Sequence, residues 1–179
     1  IWPAVVLSDR ALLRALHPGA RAAPLVVGLL VAADAALIEP VSVAAGLWAW
    51  REPGLFGVPP VAVLGWGLFG ALVAALLDRA EARGSTPLLL LPVAVPLGVH
   101  AGLIVAWWGL LGWVSVPLPG TPAAAAAWAV AIPLAVRAGR TGPRLPVGQA
   151  LARVPPGLFF LGLLALHGRG RPDLVAWAL

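Results

Sequence analysis

AAPLVVGLLVAADAALIEPVSVAAGLWAW, residues 22–50 of the chain, is an apolar run that contains two acids, Asp34 and Glu39. A helix rises about 1.5 Å per residue, so the run is long enough to cross the roughly 30 Å hydrocarbon core of a bilayer. One charged residue near the centre of such a span costs about 2.5–3.5 kcal/mol or more. The run therefore predicts a membrane-spanning helix over Ala22–Trp50, and the two acids are candidate functional groups.

The composition of the whole chain indicates an integral membrane protein. Of its 179 residues, 61% are hydrophobic and 11% are charged, whereas soluble domains carry about 25% charged residues. The absence of Cys excludes disulfides, thiolate metal ligands and Cys nucleophiles. The net charge of +5 comes from Arg residues. Because these lie in short loops between apolar spans, as in membrane proteins, they do not indicate a nucleic-acid partner.

Further apolar stretches predict an all-α fold, a polytopic transmembrane helix bundle of about five to six spans, several of them kinked by proline. Residues 1–179 are expected to form a single transmembrane domain that lacks a native N-terminal segment, since the chain contains no Met. Residues 1–20 read as a short amphipathic segment. The later spans are predicted from Pro60 to Leu77, Pro87 to Trp113, Pro122 to Val136 and Pro156 to Leu166. The tail to Leu179 either continues into another span or closes this last one.

The two acids are not on one face of a straight helix. Their spacing of five residues turns about 140° around the axis. Pro40 follows Glu39 and removes a backbone hydrogen bond to Ala36, which predicts a kink or a locally unwound turn. Such a bend would let both carboxyl groups face one interior cavity.

His100 is the third polar group predicted at this depth. It follows Pro87 by 13 residues, as Asp34 follows Arg21. A pair of His100 with Asp34 would lower the cost of both groups in the membrane. The pair would serve either as a structural hydrogen bond between helices or as a catalytic, proton-handling group. One His and two acids are too few to indicate a metal site.

Three Trp residues are candidate contacts for an apolar ligand. Trp48 and Trp50 stand at the end of the first predicted span, where interfacial anchoring is the alternative role. Trp66 lies deeper, in the second span, where it would line a cavity or belong to the core. No phosphate-binding loop, dinucleotide fingerprint, hydrolase elbow or zinc helix is found. The sequence therefore predicts no cofactor and no metal.

Residues 34–70 resemble a family of carotenoid-biosynthesis membrane proteins that includes bisanhydrobacterioruberin hydratase and the bacterial γ-carotene hydratases. The resemblance lies in five short elements and their order: Asp34, Glu39-Pro40, Gly46-Leu47-Trp48-Ala49-Trp50, Gly57-Val58-Pro59 and Gly65-Trp66. Leu55 and Phe56 stand where Tyr is common in the family.

The resemblance implies a carotenoid-modifying protein of the bacterial inner (cytoplasmic) membrane that hydrates a terminal C=C bond of a long polyene. On that interpretation Asp34, Glu39 and His100 are catalytic, and Trp48, Trp50 and Trp66 bind the substrate. The partners would be the lipid bilayer and the apolar polyene. The alternatives are a non-catalytic carotenoid-binding or structural subunit of a larger membrane complex, and a small proton-coupled carrier.

Overall fold

The computed structural model describes residues 2–16, 23–109, 116–141 and 147–179 of the chain. These residues form seven α-helices, and a 3₁₀ helix, Thr86–Leu90, precedes the fourth. The α-helices are α1 Trp2–Leu16, α2 Ala23–Ala44, α3 Pro60–Arg83, α4 Leu91–Gly109, α5 Gly120–Thr141, α6 Val147–His167 and α7 Pro172–Ala178. The all-α class predicted from the apolar runs is confirmed. Ala22 and Trp113, the predicted ends of two spans, lie outside the described residues.

Four helical stretches in the described part of the chain are long and apolar enough to cross a membrane: Ala23–Ala44, Pro60–Arg83, Thr86–Gly109 and Ala150–His167. This number is smaller than the five to six spans expected from the sequence. The difference lies in α5, which has 22 residues but a less apolar composition. Gly120, Thr121 and Pro122 at its start and two arginines near its end lower its mean hydropathy. The described helices are those of a helical membrane bundle.

The first span ends earlier than predicted, at Ala44 rather than Trp50. Gly46 adopts the left-handed conformation with φ 71°. Its N–H donates to Val43 O at 3.0 Å, and the N–H of Leu47 donates to Ser42 O at 3.0 Å. These bonds form a Schellman motif, in which a glycine without Cβ strain ends the helix. A hydropathy profile does not show that α2 ends at Ala44, because the residues after Ala44 are as apolar as the residues before it.

Helix α2 is α-helical on both sides of Pro40, so the chain is not unwound there. Ser42 is buried two residues later, and its hydroxyl donates to the Ile38 carbonyl at 2.9 Å. A hydroxyl that bonds back to the preceding turn satisfies its own donor inside the helix. The helix therefore carries Glu39 in its penultimate turn.

The chain divides into two compact units: Ile1–Ala36 with Pro60–Val114, and Leu37–Pro59 with Ser115–Leu179. The boundary falls within α2, between Ala36 and Leu37. The single domain expected from the sequence stays a prediction.

In the first unit, helices α2 and α3 approach closely through glycines. A Cβ atom built at Gly28 would lie 2.6 Å from Gly67 O and 2.9 Å from Ala71 Cβ. Small residues allow such backbone contact between membrane helices, where it contributes dispersion and packing energy. Val6, Leu13, Val27, Val31 and Ala74 form the buried core beside this contact. Gly67 and Gly70 on α3 belong to the same close contact, since Cβ atoms built there would lie 3.1 Å from Gly28 O and 2.7 Å from Val31 Cγ2.

Helix α1 is held to the end of α3 by ion pairs. Arg10 Nη2 lies 2.6 Å from Asp78 Oδ1 and 2.8 Å from Glu81 Oε1. Arg14 Nη2 lies 3.1 Å from the same Asp78 oxygen and also pairs with Glu81. The side chain of Arg10 is only 11% exposed, so its bonds are less screened by water than those of Arg14.

The second unit has its own core, built around the short helix α7. Leu174 is fully buried and clusters with Val41, Phe56 and Leu164. The indole N–H of Trp128 on α5 donates to the carbonyl of Ala176 at 2.5 Å. The C-terminal tail, for which the sequence left two possibilities, therefore forms a separate helix, α7. It packs against α5, α6 and the end of α2.

We expect Gly28→Ala to lower the free energy of unfolding by about 1–3 kcal/mol, because its methyl group would overlap backbone atoms of α3. Gly65→Ala is the matched control, since a Cβ atom there meets only the Leu103 side chain, at an ordinary 3.5 Å. Thermal unfolding in detergent measures both. Equal stability of the two variants would contradict the close packing of α2 on α3.

Candidate functional site

Glu39 is the most thoroughly buried acid of the second unit, with 1% of its side chain exposed. Two indole groups bind its carboxyl group. Trp48 Nε1 donates to Glu39 Oε2 at 2.8 Å, and Trp50 Nε1 donates to the same oxygen at 3.0 Å. Both lengths are those of well-formed hydrogen bonds. Glu39, Trp48 and Trp50 thus form one polar cluster, which we call the carboxyl–indole cluster.

The early end of α2 creates this cluster. After the turn at Gly46 the chain leaves the helix, and residues 45–59, here called the return loop, precede α3. Trp48 and Trp50 are two residues apart, the spacing that puts two side chains on one side of an extended segment. Had α2 continued to Trp50, these indoles would lie about two and a half to three turns beyond Glu39 along the axis.

Contacts within the second unit hold the far end of the return loop. The N–H of Leu118 donates to Gly54 O at 3.2 Å, and Val58 N–H donates to Leu55 O at 3.0 Å. Phe56 has φ 54°, unusual for a residue with a side chain. Its ring is buried and lies 5.9 Å from that of Trp177 on α7. Packing on α7 therefore offsets the backbone strain at Phe56.

The surroundings of Glu39 suit a carboxyl group that transfers a proton. A carboxyl group can give or accept a proton, and here it lies away from bulk water, with two indole N–H groups that donate to its Oε2. Electrostatic interactions are stronger in such surroundings than in water. The cluster can hold the carboxyl group in one orientation beside an apolar substrate.

The structure leaves the other predicted acid in different surroundings. Asp34 is half-buried and belongs to the first unit, whereas Glu39 belongs to the second. The two acids lie about 7 Å apart along the axis of α2, by the rise per residue. Their catalytic roles stay predictions.

His100 is exposed on the surface of α4. The face of α4 that meets α3 carries Gly98 and Gly102, whose built Cβ atoms would lie 2.8 Å and 2.7 Å from Leu72 and Leu68. Two residues after Gly98, His100 points about 200° away from that contact. The predicted partnership of His100 with Asp34 stays a prediction.

Trp66 is packed among other aromatic residues of the first unit. Its ring stacks on that of Trp2 with a centroid distance of 4.0 Å, and the ring of Phe69 meets it edge-on at 6.0 Å. One face of Trp66 is therefore covered by Trp2. The substrate-binding role predicted for Trp66 would have to use the rest of its surface.

Sequence reasoning missed two features. The bonding of Trp48 and Trp50 to Glu39 was not anticipated, although the glycine before the Trp-x-Trp pair is a helix-stop signal. Asp9, which is fully buried, was also missed. It lies three residues after Val6 and four before Leu13, on the apolar face of α1, and this helical spacing was a readable signal.

Comparison with known proteins gives one match. A family model described as carotenoid biosynthesis protein matches residues 2–133. No curated protein and no solved structure matches the chain. The matched range contains α1 to α4, the return loop with the carboxyl–indole cluster, and the first part of α5. Since that range covers well over half of the sequence, the chain belongs to the family of carotenoid biosynthesis proteins and is a carotenoid-related membrane protein.

Proposed function

We propose that this protein hydrates a terminal C=C bond of a long polyene by acid catalysis, in the bacterial inner membrane. The observation that carries the proposal is the buried Glu39 carboxyl group with its two indole donors, in a chain of the carotenoid biosynthesis family. An alkene has no polar group that a protein can bind, so its protonation requires an acid held beside it in an apolar site. A buried carboxyl group is such an acid.

The proposed reaction needs no oxidant and no reductant. A carboxyl proton is transferred to the alkene, and the π electrons form the new C–H bond. The cation left on the neighbouring tertiary carbon is stabilised by the carboxylate. Water then adds to that carbon, forming the C–O bond, and releases a proton to a carboxylate. The sum is addition of one water to the double bond.

Glu39 and Asp34 are the two carboxyl groups that divide these steps in the proposal, and His100 orients one of them. Apolar surface on Trp48 and Trp50 contacts the polyene in the proposal, and the substrate-binding role of Trp66 stays a prediction. The buried position of Glu39 supports its part directly, since its carboxyl group is shielded from water. Asp34 is supported by its half-buried place near the middle of a membrane-spanning helix.

A non-catalytic role has its own support. The two indole hydrogen bonds also support a purely structural role, in which Glu39 holds the return loop against the end of α2. The chain would then bind a carotenoid without changing it, or serve as a subunit of a larger membrane complex.

Expression in a bacterium that accumulates lycopene separates the two roles. The proposal predicts a hydroxylated product heavier by one water, detected by chromatography and mass spectrometry of the extracted pigments. Unmodified pigment that copurifies with the protein would support the non-catalytic role instead. Absence of both product and bound pigment would contradict hydration and carotenoid binding, and would leave the role of a subunit in a larger membrane complex. A host that carries the same plasmid without the gene is the control.

A further inference from the structure

We propose that Trp48 and Trp50 are positioning residues for Glu39: their N–H groups hold Oε2, so that Oε1 is the oxygen that carries and transfers the proton. This inference rests on the proposed function and assigns a chemical task to each oxygen of the carboxyl group. It adds to the substrate contact predicted for the two indoles.

The convergence of both donors on one oxygen is the central observation. A carboxyl oxygen has two lone pairs, and the two indole N–H groups use both of them at Oε2. An indole N–H is a donor only and cannot accept a proton in return. A proton on Oε2 would therefore displace one of these bonds and leave a buried indole N–H unsatisfied, which is costly. The proton of a neutral Glu39 accordingly belongs on Oε1.

The two bonds also limit the rotation of the carboxyl group. The terminal torsion of a Glu side chain is broad and is weakly restricted by its own stereochemistry. Two donors that reach Oε2 from different residues of the return loop fix the carboxyl plane, and with it the direction of Oε1. Proton transfer is sensitive to such alignment, because a small misplacement of the reacting group lowers the rate strongly.

Each indole also has a ring surface that remains accessible. Trp48 is 36% exposed and Trp50 is 37% exposed, although their N–H groups point to a carboxyl group that is 1% exposed. The N–H edge of each ring thus faces the acid, and part of the ring faces outward. An apolar chain lying on these rings would come close to Glu39 without breaking either hydrogen bond.

Substitution of the indoles by Phe or by Ala separates their two tasks, which are hydrogen bonding to Glu39 and contact with the apolar substrate. Phe keeps an apolar ring and removes only the N–H donor, whereas Ala removes both. We expect Trp48→Phe and Trp50→Phe each to lower kcat about tenfold or more with little change in KM, and the double variant to lower kcat further. The Ala variants should also raise KM. Trp108→Phe, on the exposed surface of α4, is the matched control and should behave as wild type.

The outcomes distinguish this inference from the proposed function. If the wild-type chain forms no hydrated product, the proposed function itself is wrong. If Glu39→Gln keeps full activity, Glu39 is not the catalytic acid, and this inference fails while the hydration activity stands. If Glu39→Gln is inactive while the double Phe variant keeps the wild-type kcat, only the positioning role is wrong. A rise in KM without a fall in kcat would assign the indoles to substrate binding alone.

A spectroscopic measurement tests the geometry independently of activity. Nitrogen-15 NMR of labelled indoles reports each Nε1–H group in detergent micelles. Replacing Glu39 by Ala should shift the Trp48 and Trp50 signals toward values of weakly bonded indoles and leave that of Trp128 unchanged. The two signals are assigned from their loss in the Phe variants. Unshifted Trp48 and Trp50 signals would overturn the inference.

Discussion

Glu39→Gln is expected to lower the rate of polyene hydration by about 100-fold or more, because an amide cannot donate or accept the proton that the reaction transfers. The variant is conservative in shape, and the amide oxygen of Gln still accepts hydrogen bonds from indole N–H groups. The return loop should therefore stay in place while the chemistry is lost. The measurement is the ratio of hydroxylated to unmodified pigment in membranes that contain equal amounts of protein.

Glu52→Gln is the control for this prediction. It makes the same chemical change at a half-buried residue of the return loop, the loop whose two indoles bind Glu39. It should keep wild-type product formation. Loss of product in both variants would point to damage of the loop, and product in Glu39→Gln at the wild-type level would remove Glu39 from the catalytic machinery.

Asp34→Asn tests the second carboxyl group in the same assay. If Asp34 and Glu39 divide the proton transfers, the Asp34 variant also loses most of its product, with an expected fall of about 100-fold. Thermal unfolding in detergent should show that the variant is folded. A folded Asp34→Asn protein with full activity would leave Glu39 as the one carboxyl group that serves both steps.

Gly54→Ala is expected to have the largest effect on structure. A Cβ atom built at Gly54 would lie 2.0 Å from Val58 O and 2.7 Å from the Cα atom of Pro59. These are backbone atoms of the same tight loop, so no side-chain rotation relieves the overlap. We expect the return loop to rearrange, with a loss of about 1–3 kcal/mol in the free energy of unfolding.

The consequence of Gly54→Ala for the site follows from its place in the return loop. Displacing that loop moves Trp48 and Trp50 away from Glu39, so both indole signals and the activity should be lost together. Gly162→Ala on α6 is the control, because a Cβ atom there meets no described atom within 4 Å. It should be neutral or slightly stabilising, as Ala is the better helix former. A stable, active Gly54→Ala protein would show that the loop adopts another conformation.

Much of the fold was readable from the chain. Runs of apolar residues predicted helices that the structure contains, including α3 and α4, because a helix that faces lipid must satisfy its backbone internally. Asp34 and Glu39 could also be identified from the sequence as candidate functional groups, since both acids lie within an apolar run. The Gly, Trp and Pro elements around them indicated the family. The weak points were helix ends, as at Ala44, where α2 stops within an apolar sequence.

The composition and the order of apolar runs determined by themselves that this is a helical membrane protein with two acids in its first long helix. The short Gly, Trp and Pro elements around those acids carried the resemblance to the carotenoid biosynthesis family. These properties depend on residue type and on distances along the chain. Only the tertiary structure decided that Trp48 and Trp50 meet Glu39, and that α7 closes the second core. The physical reason is that one glycine turn reverses the chain, and packing of Phe56 and Leu174 then holds the reversed segment. Both depend on which residues meet in space, and the order of apolar residues along the chain does not report such contacts.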